Sequence, residues 1–169
     1  PHDLEELCLQ AGSTMLVQAH IYNNENEAYQ ALKDVLVNGQ ALEKLKEMVE
    51  AQGGDVSYIE NPDKFEKARV MIELPSLKTG YVKSLEAKTL GIVAMKLGGG
   101  RMTKDEDIDH HVGLLLHKKI GDYIVVGESL LQIHASDEVS DELINDLYQA
   151  YEIVDEFVEK PVLIEEILK

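Results

Sequence analysis

Apolar residues recur three and four positions apart through the first third of the chain, then change to alternation and short runs near Ala68. Leu4, Leu7, Cys8 and Ala11 share one helical face, and Asp3 with Glu6 has capping-box spacing. A second helix is expected from near Asn24, with Glu27 three residues on, a stripe of Ala28, Leu32, Val35 and Leu36, and a stop at Asn38-Gly39. A third carries Leu42, Leu45, Met48 and Val49 and ends at Gly53-Gly54. Helices this short, each with one apolar stripe, need another layer to pack on. Asp55 to Lys64, containing Asn61-Pro62, reads as a linker.

The second part reads as strands and turns. Val70, Ile72 and Leu74 alternate up to Pro75, and Gly80-Tyr81-Val82 opens another strand. Leu90, Val93, Ala94 and Leu97 return to helical spacing, which puts Lys96 on a helix ending at Gly98. Val112 to His117 is a continuous apolar strand candidate, followed by strands at Val125-Val126 and Leu130 to Ile133. Val139, Leu143, Ile144, Leu147 and Tyr151 predict an amphipathic helix capped by Ser136 or Asp137. A strand from Ile153, then Pro161 and a short last element, complete the expectation.

Composition narrows the partners. The 169 residues suffice for one ordinary domain or two small ones. A net charge of -16 with only Arg69 and Arg101 as arginines argues against nucleic acid or anionic lipid, which demand clustered positive charge. No apolar run approaches a membrane span. Cys8 is the single cysteine, so no disulfide framework is available, and a reduced cytoplasmic setting is expected. The start at Pro1 suggests a piece of a longer chain.

Three stretches invite a chemical reading. Ala94-Met95-Lys96-Leu97 looks like the acceptor site of a biotin carrier, but that lysine belongs at a hairpin tip and this one has helical neighbours. Val112 to Ala135 has the turn pattern of half a biotinyl or lipoyl domain, yet no lysine follows Ile133, so a barrel-like fold without cofactor is expected. Gly98-Gly99-Gly100-Arg101 follows a helix, whereas a phosphate loop precedes one. It is expected to be a helix stop followed by a flexible loop, with a lid or domain latch carried by Arg101 and Lys104 as the alternative. His110, His111 and His117 beside Asp105, Asp107 and Asp109 are metal-capable types without calcium-loop spacing, and they read as a solvated loop. Ser129 lacks the second glycine of a nucleophile elbow and reads as a turn residue. Neither a catalytic set nor a metal site is expected.

Four collinear blocks carry a resemblance: "LEELCLQAGSTM", "NGQALEKLKEMVEAQGGD", "GYVKSLEAKTLGIVAMKLGGGRMTKDEDID" and "VGLLLHKKIGDYIVVGESLLQIHA". Together they resemble pyrimidine-nucleoside phosphorylases, thymidine phosphorylase among them, from Asp3 to about Ile164. The resemblance implies an α+β chain: residues 1–61 as helices of an incomplete central α/β domain, and 62–169 as a barrel-sandwich hybrid, or α/β-hammerhead, C-terminal domain. It implies a full enzyme that is a cytoplasmic homodimer and a pentosyltransferase, splitting pyrimidine nucleosides with phosphate into base and pentose 1-phosphate, with no cofactor. The family's phosphate- and base-binding residues lie N-terminal to Pro1, as does most of the ion site of some members. No catalytic residue therefore carries over, and the fragment alone is expected to be inactive. What carries over is an interdomain loop, here Gly99, Gly100, Arg101, Met102, Thr103 and Lys104. His110-His111 departs from the family pattern, where small or apolar residues stand. Strict thymidine specificity, or a non-catalytic biotinyl- or lipoyl-like binding module, are the alternatives.

Overall fold

A computed structural model describes every residue except Met102 and Lys169. The chain divides into two compact units, one formed by residues 1–65 with the segment from Val162 onward, the other running from Glu66 to Pro161.

The first unit is helical: α1 (His2–Gln18), α2 (Glu25–Val37), α3 (Gln40–Ala51), and a short α4 (Ser57–Glu60) leading into a 3-10 turn at Pro62–Lys64. The expected linker is thus partly helical. Asn24 caps α2 by accepting the Glu27 N–H at 3.0 Å. The expected capping box on α1 does not form, because the helix already begins at His2 and has no side-chain cap.

The stripe read on α1 is left uncovered in this chain: Leu4, Leu7, Cys8 and Ala11 are exposed. Leu9 and Ser13 are buried instead, as is Ala28 of α2. Small residues explain the choice. Gly12 approaches Leu32 so closely that a Cβ would lie 2.8 Å from the leucine's methyl, so α1 packs on α2 through its small face. On α3, Leu42, Leu45 and Met48 remain exposed. Two or three short helices cannot cover every stripe they carry.

The second unit contains β1 (Val70–Pro75), β2 (Gly80–Leu85), α5 (Ala87–Ala94) with a π-turn at Met95–Gly99, β3 (Gly113–Leu116), β4 (Tyr123–Ile124), β5 (Ser129–Ala135), α6 (Asp141–Gln149) and β6 (Tyr151–Val154). Two antiparallel three-stranded sheets form, ordered β1-β5-β3 and β4-β2-β6. The architecture is α+β. Leu74, Leu130, Leu131 and Ile133 of the first sheet meet Val82, Ile124 and Tyr151 of the second in one core, closed by Leu90 and Val93 of α5 and Leu147 of α6. Val125 and Val126 leave the ladder after Ile124 and are exposed, so the strand expected there is two residues long and lies earlier. Tyr151 opens β6 rather than closing α6, because Ala150 caps the helix. Ser140, not Ser136 or Asp137, caps α6, accepting the Leu143 N–H at 3.4 Å.

Tyr151 places a phenol in this core with only long hydrogen bonds, 3.3 Å to the Lys118 carbonyl and 3.4 Å to that of Leu130. Burial pushes its pKa up to about 12. The folded state therefore holds the proton after the unfolded chain has lost it. Its contribution is full below the unfolded value near 10 and is lost as pH rises towards 12. That loss is on the order of 2 kcal/mol. In Tyr151→Phe the alkaline fall in unfolding free energy between pH 9.5 and 11.5, followed by urea titration, should flatten by about that amount. An unchanged alkaline limb would show that Tyr151 does not control it.

Candidate functional site

The loop after α5 is built from its glycines outward. Glu86 caps α5, accepting the Thr89 N–H at 2.7 Å, and Leu90 and Val93 anchor the helix in the core. The helix then widens into the π-turn, where Gly98 takes φ 106°, a left-handed value that favours glycine. Gly99 stands so near the preceding helix that a Cβ would lie 3.0 Å from the Ala94 carbonyl oxygen, and at Gly100 one would lie 3.1 Å from Met95 Cγ. This glycine run is therefore a packed chain reversal at the carbonyl end of a helix, whereas anions bind at the amide end. A π-turn opening into a loop is an arrangement common at functional sites.

Lys96, on this turn, points its ammonium to α6, 3.3 Å from Glu142 and 3.6 Å from Asp146. The Glu142 carboxylate raises its pKa, with Asp146 adding to it. A lysine engaged by two carboxylates on a helical turn lacks the exposed hairpin setting of a carrier site.

Arg101, Thr103 and Lys104 follow as an exposed loop, and Thr103 accepts the Glu106 N–H at 3.4 Å while donating its own N–H to the Glu106 carboxylate at 3.3 Å. Met102 lies outside the described residues. The loop returns to its start: the Asp109 N–H donates to the Gly98 carbonyl at 2.9 Å. Asp109 is not the solvated member of an acidic run that its neighbours imply. Its carboxylate accepts the Ser136 hydroxyl and the His111 N–H, and its pKa is held down, first by the Ser136 hydroxyl and then by His111. His110 and His111 occupy a turn before β3, not the strand itself, and His110 is exposed.

An open pocket of about 400 Å³ borders this cluster, lined by Glu66, Lys67, Arg69, Asp109, His111, Ser136 and Asp137. Its lining thus includes three carboxylates beside the cations Lys67 and Arg69. Among the described residues, no group of three or more His, Cys, Asp or Glu side chains could hold a metal ion.

A Ser/His/Glu set not legible from sequence spacing meets on the outer face of the first sheet. Ser129, which opens β5 and is no turn residue, donates to Glu73, and His117 Nε2 lies 3.4 Å from the same Glu73 oxygen. Ser129 chiefly, aided by Gln132 and His117, keeps the Glu73 pKa low. Both partners hang on the carboxylate instead of the serine on the histidine, so nothing activates the hydroxyl. Strand register, which pairs Glu73 with Gln132 and Pro75 with Ser129, brings these residues together.

Residues 81–154, from β2 to β6, match the family described as Pyrimidine nucleoside phosphorylase C-terminal domain. Over that stretch the chain is similar to the C-terminal domain of this phosphorylase family. The pyrimidine-nucleoside phosphorylase of Staphylococcus haemolyticus (strain JCSC1435) is 44% identical over 153 residues, which are 90% of this chain and 35% of that protein. That of Staphylococcus aureus (strain USA300) is 41% identical over 168 residues, 99% of this chain and 39% of the relative. The chain thus spans well under half the length of these curated phosphorylases. The match to the phosphorylase C-terminal domain covers both sheets in part, α5, the π-turn and the whole loop from Gly98 to Asp109. No described helix is long and apolar enough to cross a membrane.

Proposed function

We propose that this chain is the C-terminal part of a cytoplasmic pyrimidine-nucleoside phosphorylase whose complete polypeptide, a homodimer, converts a pyrimidine nucleoside and phosphate to the free base and pentose 1-phosphate. The observation that carries this reading is the 41% identity running through 99% of the chain. In it, residues 1–61 are helices of a central domain and 62–169 are the C-terminal domain. Phosphate and nucleoside are then bound by residues outside the chain, and Gly99 to Lys104 forms a loop that steadies the complete enzyme around substrate.

The test is phosphorolysis of uridine and of thymidine by the complete encoded polypeptide, beside the 169-residue chain alone. Turnover by the former and none by the latter is expected. Turnover of thymidine only would assign the narrower specificity, and a biotin or lipoyl adduct on Lys96 in protein from cells would overturn the reading. Arg101→Ala in the complete polypeptide should lower kcat/KM roughly tenfold, the effect of removing one charge-assisted contact. Unchanged turnover and phosphate affinity in that variant would remove the loop from the mechanism.

A further inference from the structure

Asp109 holds four attachments at once. Its N–H reaches the Gly98 carbonyl at 2.9 Å, joining the first residue of the loop to the last. One carboxylate oxygen accepts the Ser136 hydroxyl at the end of β5. The other accepts the His111 N–H at 2.9 Å and lies 3.0 Å from His111 Nδ1. At Gly98 an added Cβ would come 3.4 Å from Asp109 Cβ, so a methyl group there would fill the space between the two chain segments.

We propose that Asp109 is the positioning residue of the loop between Gly98 and itself, fixing both loop ends to each other and, through Ser136, to the central strand β5. The attachments differ in weight. The Ser136 hydroxyl bonds an ionised carboxylate in a part-buried place, where such a bond is strong. His111 continues the chain to Glu66, 3.5 Å from its Nε2, but these side chains are 40% and 86% exposed, so that last link contributes little. The anchor is therefore Gly98, Asp109 and Ser136, with Glu66 dispensable. β5 is the middle strand of its sheet, paired on both edges, which makes it the firmest support available to the loop.

The importance of this anchor for catalysis rests on the proposed function; the anchoring does not. In the complete encoded polypeptide, limited trypsin digestion followed by mass spectrometry reads the loop through cuts after Arg101 and Lys104. Cleavage of a locally opened segment follows the population of the open form. Asp109→Ala should raise both cut rates about tenfold, Ser136→Ala should raise them in the same direction, and Glu66→Gln should leave them unchanged. Cutting after Lys83, inside β2, reports opening of the unit itself and should stay at its wild-type rate. Wild-type loop cutting in Asp109→Ala and Ser136→Ala overturns the proposal, and so does equal acceleration at Lys83. If Arg101→Ala retains full phosphorolysis while Asp109→Ala still loosens the loop, the functional reading fails and the anchor stands.

Discussion

Gly80→Ala is expected to destabilise the strand-rich unit by about 3 kcal/mol, seen as a melting temperature lowered by roughly 10–20 °C. A Cβ at this position would lie 2.3 Å from the Val154 carbonyl oxygen and 3.0 Å from Ile153 Cγ2. The oxygen belongs to the backbone, so no side-chain rotation relieves the overlap. Nor can β6 retreat as a whole, because it pairs with β2 from Tyr81 to Leu85 and Tyr151 is seated in the core. The sheet would have to part at its β2–β6 edge. Gly127→Ala makes a suitable control. That residue has a positive φ, 87°, but nothing lies within 4 Å of its added Cβ. Only backbone strain of about 1 kcal/mol is then expected. Equal melting of the Gly80→Ala variant and the wild-type chain would show that β6 is not held against β2 as the structure has it.

The second large effect is Ile133→Ala, expected to cost between about 2 and 5 kcal/mol. Ile133 is fully buried on the middle strand, with Ile72 opposite on one neighbour and Leu114 on the other. Its side chain reaches the core shared with Val82 and Ile124 of the second sheet and Leu147 of α6, so shortening it opens a gap that none of the paired strands can close alone. The loss is a large part of what a domain has to spare. Urea unfolding of the chain should show a lower midpoint with an unchanged slope. Leu115→Ala, on the same sheet but 53% exposed, should move the midpoint by less than about 1 kcal/mol equivalent. A similar shift for both would mean that the two faces of the sheet had been assigned wrongly.

These contrasts show how far pattern reading reaches. Alternation located β1 and helical spacing located α5 and α6, because such spacing records which face of an element meets the core, while turn signals and apolar runs located β2, β3 and β5. The same reasoning did not show that α1 meets α2 through Leu9 and Ser13 and leaves Leu4 and Leu7 uncovered in this chain. Hydrophobicity ranks faces, but small residues such as Gly12 decide how closely two helices approach. The helix stop at Gly98 was legible, since a glycine run after a periodic segment has few other uses. The loop's anchor was not. Asp109 looked like one of several solvated acids, and Ser136 like a helix cap, because their meeting depends on a separation of 27 residues closed by the sheet.

By itself, then, the sequence determined the α+β character, the change from helices to strands near residue 68, the place of Lys96 at the end of a helix, and the resemblance to phosphorylase C-terminal regions. All four rest on local spacing or on collinear blocks, which need no knowledge of long-range contacts. The tertiary structure alone decided which face of α1 is buried, that Ser129 and His117 share Glu73 without activating each other, and that Asp109 is tied to Ser136. Those outcomes follow from strand register and from the close approach of distant segments. Such contacts arise only when a core draws the elements together, and no spacing along the chain records them.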